Sequence, residues 1–257
     1  MAAGTEVTKV DNTRRFDGKG ELYAKARPKY AAALFDYFKN TLYIPDGSVF
    51  ADVGSGTGIF TEQLLHCGYR VFAVEPNGDM RKQAERRLSR NENFRSVNGS
   101  DADMKLPGHS VGYVTAAQAF HWFDAEAFRR ECGRVLMPGG RVILVYNSRD
   151  ETAACTRALA ALRQKFSSGF HGFSNGVSDA QCRAFFAGSC EVFCADNTQV
   201  YDRQGYLDRV LSSSYSLKES DARYAEYREE IDEIFGRYST DGRLAVPTET
   251  VAYVGRI

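Results

Sequence analysis

The sequence predicts an α/β domain built on a mostly parallel sheet with helices on both faces, and three observations carry that prediction. Short apolar runs alternate with stretches of helical periodicity between residues 48 and 146. The first run, Val49-Phe50-Ala51, passes through Asp52-Val53-Gly54-Ser55-Gly56-Thr57-Gly58 into the apolar-periodic Ile59, Phe60, Leu64 and Leu65. The second run, Val71-Phe72-Ala73-Val74, ends in an acid, Glu75, 21 residues after Gly54. Strand, glycine turn and helix in this order build a ligand site at the carboxyl end of the first strand. An acid closing the second strand is placed to accept hydrogen bonds from two ribose hydroxyls.

The elements follow in order. A helix is expected from Pro28, a favoured first-turn residue, to about Asn40, with Ala32, Leu34, Phe35 and Phe38 as its apolar positions. Strand one spans 48–53 and its helix 57–67; strand two spans 70–74 and its helix 78–89, with Asn77 as cap. Strands three and four occupy 94–98 and 111–117, with a helix at 124–136. Met137-Pro138-Gly139-Gly140 is a sharp stop, followed by the buried-looking strand Arg141 to Tyr146. Residues 150–187 then read as helix, a glycine- and serine-rich loop at 167–178, and a shorter helix. A strand at 189–200, a helical stretch at 218–239 and a last strand at 244–256 complete the chain, the two strands being antiparallel neighbours at one sheet edge. The first dozen residues are polar and expected to be mobile.

The chain has 257 residues, with 33 basic and 33 acidic side chains, enough for one domain with small additions. The zero net charge opposes a nucleic-acid partner, which needs a basic excess on one face. No membrane span or signal peptide is read from the sequence. The six cysteines lack metal-ligand spacing, so no metal is expected; reduced thiols and a cytoplasmic location follow.

The glycine spacing discriminates between cofactors. A dinucleotide fingerprint, G-x-G-x-x-G, aims backbone amides at a pyrophosphate. Gly54 and Gly56 fit it, but Ile59 stands at the third position and the third glycine falls one residue early, at Gly58. That disfavours a nicotinamide-dependent oxidoreductase. The pattern D-x-G-x-G-x-G suits a cofactor with an amino-acid tail, Asp52 facing its ammonium.

This run resembles motif I of class I S-adenosylmethionine-dependent methyltransferases. Other segments resemble the same family: Tyr23 to Tyr30 its Y-x-x-x-RP-x-Y opening, Ala73 to Met80 its second motif, Ala116 to Phe123 its fourth-strand motif, and Arg134 to Gly140 its RVLxPGG turn. Ser212 to Tyr215 and Tyr253 to Ile257 also recur there. The branch resembled contains trans-aconitate methyltransferases and other small-molecule enzymes. The resemblance implies one Rossmann-like domain over 1–257. Its seven-stranded sheet has the order 3-2-1-4-5-7-6 with strand seven reversed, and its helical cap lies within 1–40, 150–187 and 203–240. It also implies residue roles. Asp52 holds the cofactor's ammonium, and Gly54, Ser55 and Gly56 line its methionine part. Glu75 takes the ribose, Asn77 and Met80 lie along the adenine, Ser100 and Asp101 meet the adenine edge, and Gln118 sits beside the methionine part. Tyr23 and Arg27 belong to the cofactor side of the opening motif. Two departures stand out. The usual G-x-A-E after strand three reads Gly99-Ser100-Asp101-Ala102, and Gly112 replaces an aspartate that is usually structural, so local packing there should weaken.

Methyl transfer from a sulfonium is an in-line displacement, in which the protein mainly positions the acceptor and excludes water. The acceptor is read as a small molecule presenting O or N, with S-adenosylhomocysteine as the second product. A carboxylate acceptor needs no base but needs cationic partners; Arg27, Arg149 and Arg183 are candidates. A phenol or amine needs a base, and His121 is the candidate. Trp122, His171 and Tyr215 are the further acceptor-side candidates. A non-catalytic protein that binds S-adenosylmethionine is the alternative from another class. Amphipathic cap helices can face a core or a twin, which leaves the oligomeric state open.

Overall fold

The computed structural model describes residues 27–170, 172–173, 178–213 and 215–257. The expectations for Tyr23, for His171 and for the mobile first dozen residues lie outside these.

Five parallel strands follow the alternation read from the sequence: β1 (Val49–Val53), β2 (Arg70–Val74), β3 (Phe94–Val97), β4 (Val111–Ala117) and β5 (Leu136–Arg149). They are joined by β9 (Thr248–Gly255) and β6 (Cys190–Asp196) in a seven-stranded sheet of order β3-β2-β1-β4-β5-β9-β6. β9 runs antiparallel to both β5 and β6, so the expected order holds with the last strand reversed. α1 (Ala32–Asn40) precedes β1, and between strands lie α2 (Ile59–His66), α3 (Gly78–Leu88), α4 (Ala125–Val135), α5 (Ala154–Phe166), α6 (Asp179–Phe185), α7 (Arg203–Leu211) and α8 (Tyr224–Tyr238).

Each sheet face has its own apolar core. On one, Phe128, Cys132 and Val135 of α4 meet Phe185 and Phe186 over Val114, Val142 and Leu144. On the other, Leu34 and Phe38 of α1, Phe60 and Leu64 of α2, and Ala84 and Leu88 of α3 cover Phe50, Val71 and Ile143. A third core belongs to the cap: Leu159 and Leu162 of α5, Leu207 and Val210 of α7, and Tyr227, Ile231 and Phe235 of α8.

Three of the differences from the sequence reading have a clear local reason. α1 starts at Ala32 rather than Pro28, because side chains hold the preceding backbone extended. Tyr30 exchanges two hydrogen bonds with the Gln63 amide, at 2.9 Å each, and Ala31 N donates to Thr250 Oγ1 at 3.0 Å. β5 begins at Leu136, since Leu136 pairs with Val111 across a bulge before the regular register starts at Tyr113–Arg141. The chains approach closely there: a Cβ on Gly140 would lie 2.9 Å from Gly112 O.

The third difference matters for the site. The strands expected at 189–200 and 244–256 each divide in two. β6 is followed by β7 (Gln199–Tyr201), and β9 is preceded by β8 (Leu244–Val246). β7 and β8 form a separate ribbon. The break falls at Pro247, which has no N–H for the ladder. The register nevertheless carries through, with Asp196 opposite Glu249 and Gln199 opposite Val246. One antiparallel ladder therefore leaves the sheet and enters the cap.

Candidate active site

The glycine run forms a tight cradle at the carboxyl ends of β1 and β2. Gly54 N and Ser55 N both donate to Val74 O, at 2.8 and 3.2 Å, which ties the turn to the end of β2. Gly54 has φ +67°, and a Cβ there would lie 2.7 Å from Ala119 Cβ. Gly58 has φ +80°, and its Cβ would meet Leu88 Cδ1 at 2.8 Å, so this glycine brings α3 against the turn. Glu75 fastens the cradle from β2: its Oε2 accepts from Gly56 N at 2.9 Å and its Oε1 from Asn77 N at 2.8 Å. Burial pushes its pKa up, and the two backbone bonds oppose that. Inside the cradle, Ser55 Oγ and Thr57 Oγ1 are buried with no hydrogen-bond partner. Such orphaned hydroxyls are uncommon in a finished interior and mark where a ligand's polar atoms fit.

Beneath the cradle lies Asp52, fully buried. Thr61 Oγ1 donates to one of its oxygens at 2.6 Å and Thr115 Oγ1 to the other at 2.9 Å. Desolvation outweighs these bonds and pushes the pKa up to about 6, with Glu75 adding in the same direction. At the end of β4, Gln118 sits at φ +53°, a left-handed conformation unusual for a residue with a side chain. Two hydrogen bonds fix it there: N to Val145 O at 2.8 Å and Nε2 to Asn147 O at 2.9 Å. A constrained backbone beside a cleft is a signature of functional sites.

A cleft opens above these residues. Asp52, the Gly54–Thr57 turn, Gln118, Arg149 and Arg27 all line it, so the structure brings together seven of the expected site residues. Arg27 reaches it because the strap 27–31 is clamped across the sheet edge. Asn147 Nδ2 and Asn197 Nδ2 both donate to Lys29 O, at 3.2 and 2.9 Å. Asn147 Oδ1 in turn accepts from Thr250 Oγ1 at 2.6 Å and from Asn197 at 3.0 Å. The far wall comes from the cap: Gln199 and Tyr201 of β7, Val246 of β8 and Arg209 of α7. The sequence reading did not single out these cap residues. Their signal was Pro247, which divides a strand-like run and redirects it.

Other expected residues fall elsewhere. Asn77 caps α3, its side chain accepting from Asp79 N and Met80 N at 3.0 Å each, an arrangement worth about 1 kcal/mol. Met80 is buried one turn further on. Ser100 N donates to Asp103 O at 2.9 Å, closing the turn after β3. Asp101 Oδ2 accepts from Asp124 N at 3.0 Å, linking that turn to the start of α4. His121 and Trp122 pack with tilted rings in a 3-10 turn after β4, ring centroids 4.7 Å apart, and lie outside the lining of this cleft. Burial, with Arg27 nearby, lowers the His121 pKa to about 4, and its Nδ1 is buried without a partner. Tyr215 packs edge-on to Phe170 at 5.4 Å. Arg183 is corrected: it pairs with Asp179 at 2.7 Å on an exposed face of α6, an i,i+4 ion pair away from the cleft.

Comparison with known proteins agrees with this geometry. Residues 51–144, from the middle of β1 into β5, match the family described as methyltransferase domain. The matched segment is similar to a methyltransferase domain. An uncharacterized methyltransferase-like protein of Schizosaccharomyces pombe is 34% identical over 131 residues, covering 51% of this chain and 50% of the relative. An uncharacterized methyltransferase of Mycobacterium tuberculosis is 34% identical over 152 residues, covering 59% and 60%. The chain thus spans about half to three-fifths of the length of these curated relatives. A protein of Anaeromyxobacter dehalogenans, provisionally described as a type II methyltransferase, shares the fold with a TM-score of 0.66 at 23% identity, over 90% of this chain and 97% of that one. So does a SAM-dependent methyltransferase of Geobacter sulfurreducens solved with S-adenosylhomocysteine, with a TM-score of 0.54 at 17% identity, over 95% and 98%.

The cradle fits S-adenosylmethionine, the cofactor that the sequence resemblance implies. The orphaned Ser55 and Thr57 hydroxyls are hydrogen-bonding positions for an amino-acid tail, and no pyrophosphate-binding third glycine is present. Among the described residues no cluster of metal-ligating side chains occurs and no helix is long and apolar enough to cross a membrane. All six cysteines are free thiols.

Proposed function

We propose that this chain transfers a methyl group from S-adenosylmethionine to an oxygen or nitrogen of a small-molecule acceptor. The observation that carries the reading is the cradle itself: a glycine turn with two orphaned hydroxyls, locked to the closing acid of β2. The cofactor supplies an activated methyl on a sulfonium, so this chain's residues need to bind, orient and exclude water.

In this reading Asp52 faces the cofactor's ammonium across the floor of the cleft, while Gly54, Ser55 and Gly56 present main chain and hydroxyl to the methionine part. Glu75 keeps a free lone pair on each oxygen for the ribose hydroxyls beyond its bonds to Gly56 and Asn77. Asn77, Met80, Ser100 and Asp101 form the adenine end, Asn77 by starting α3 and Asp101 by fixing the turn to α4. Gln118 and Arg27 flank the methionine part, and Tyr23 is assigned to the cofactor side by the sequence resemblance alone. Trp122, Arg149, His171 and Tyr215 belong to the acceptor side. His121, with a pKa near 4, is neutral at physiological pH and acts as a hydrogen-bonding group more readily than as a strong base.

Calorimetric titration with S-adenosylmethionine, S-adenosylhomocysteine and NAD in parallel tests this. Micromolar binding of the sulfur compounds without NAD supports the reading, and NAD binding alone overturns it.

A further inference from the structure

Arg81 stands in the first turn of α3, where a positive charge opposes the helix dipole and adds nothing to helix stability. Its side chain turns back over the end of β2. There Nη1 lies 2.8 Å from Glu75 O, 3.2 Å from Pro76 O and 3.1 Å from Asn98 Oδ1. All three acceptors are uncharged. Asn98 is the residue that follows β3, so one guanidinium nitrogen meets the exits of two neighbouring strands. The main chain already joins those exits, Glu75 N donating to Val97 O at 3.1 Å.

This placement bears on the Glu75 carboxyl. Glu75 is 8% exposed, and its two oxygens accept from Gly56 N and Asn77 N. A carboxylate has about four acceptor positions, so two hydrogen bonds leave half of them open. Burial favours the neutral form of the acid. Two charged groups are coupled to it: Arg81 of α3, which favours the carboxylate, and Asp52 of β1, a like charge. Arg81 acts from the carbonyl side. It is bonded to the main-chain oxygen of Glu75 and, among the described residues, has no hydrogen bond to the carboxylate. A direct ion pair would support the charge but occupy the open acceptor positions. Charge set behind the acid supports it and keeps those positions open.

We infer that Arg81, held in place by Asn98, is a positioning residue for Glu75: it fixes the backbone at the end of β2 and sets a positive charge behind the acid, leaving each carboxylate oxygen a lone pair for a vicinal diol. Naming that diol the cofactor's ribose rests on the function proposed above. The hold of Arg81 on Glu75 does not.

The test pairs two measurements on the full chain. The first is a carboxyl-carbon NMR titration of Glu75 without ligand, its resonance assigned by loss in E75Q. In R81M the Glu75 midpoint should rise by about half a pH unit or more, and R81K, which keeps the charge, should hold it close to the parent's. R81Q keeps an amide donor for the carbonyls and drops the charge. It should move the midpoint as R81M does, and it carries the test should R81M fail to fold. The second measurement is calorimetric titration with S-adenosylhomocysteine. R81M should bind it about fivefold or more weakly than the parent, and the R81M/E75Q chain less than about twofold more weakly than E75Q, because the arginine acts through the acid. A merely structural arginine would leave the midpoint in place and weaken binding equally in both backgrounds, and either result overturns the inference. Should the parent not bind S-adenosylhomocysteine, or E75Q bind it as the parent does, the ribose assignment falls; the Glu75 midpoint then decides by itself whether Arg81 holds the acid.

Discussion

Replacing Asp52 with asparagine removes a charge that its surroundings resist. The carboxyl is fully buried, and its two threonine bonds do not compensate for lost hydration, so its pKa rises from 3.8 to about 6. At ~1.36 kcal/mol per unit, this gap is worth about 3 kcal/mol. The sign follows from linkage. An acid whose pKa is raised on folding contributes stability that is complete below its unfolded value, near 4. That stability is lost as pH rises through about 6, because the unfolded chain ionises first. Asparagine never ionises and can still bond both threonines, accepting through its oxygen and donating through its nitrogen. Urea unfolding should therefore find D52N more stable than the parent by about 2–3 kcal/mol at pH 8, with the two converging toward pH 4. In the proposed function Asp52 faces the cofactor's ammonium, so S-adenosylhomocysteine should bind D52N at least tenfold more weakly. A D52N protein less stable at pH 8 would refute this reasoning: the Thr61–Asp52–Thr115 bridge would then outweigh the buried charge.

Glu75→Ala should cost roughly 1.5–3 kcal/mol of S-adenosylhomocysteine binding, the range for charged hydrogen bonds; unchanged affinity by calorimetry would end its assigned role. Gly54→Ala forces a Cβ to 2.7 Å from Ala119 Cβ at φ +67°, and thermal unfolding should show a loss of more than ~1 kcal/mol. With the His121 pKa near 4, its titration should leave no inflection in the transfer rate between pH 6 and 8; an inflection near pH 6.5 that H121Q abolishes would contradict that.

The sheet was legible because each parallel strand is a short apolar run between helical patterns, and because glycine and acid fall at strand ends. The cradle was legible for the same reason: Asp52, Gly54, Gly56 and Glu75 are local to β1 and β2, so sequence distance approximates spatial distance. What sequence could not supply is the cap wall. Tyr201, Arg209 and Val246 come from segments far from the glycine run, and long-range packing alone brings them to it. The start of α1 was misjudged because its backbone is held by Gln63 and Thr250, partners 33 and 219 residues away. The depressed basicity of His121 was equally invisible, since it depends on burial.

The ladder that crosses Pro247 gives the molecule a division of labour with a shared hinge line. The cradle is assembled from residues 52–118 over the sheet's own cores, whereas the wall opposite is assembled from residues 149–248 over the cap's separate core. None of the cradle's hydrogen bonds involves a residue of the cap's core. In the proposed methyl transfer, a lineage can thus exchange one acceptor for another while the donor end stays constant. The exchange is bounded by one strand pair, whose unbroken register from Cys190–Gly255 to Tyr201–Leu244 keeps both halves aimed at the same gap.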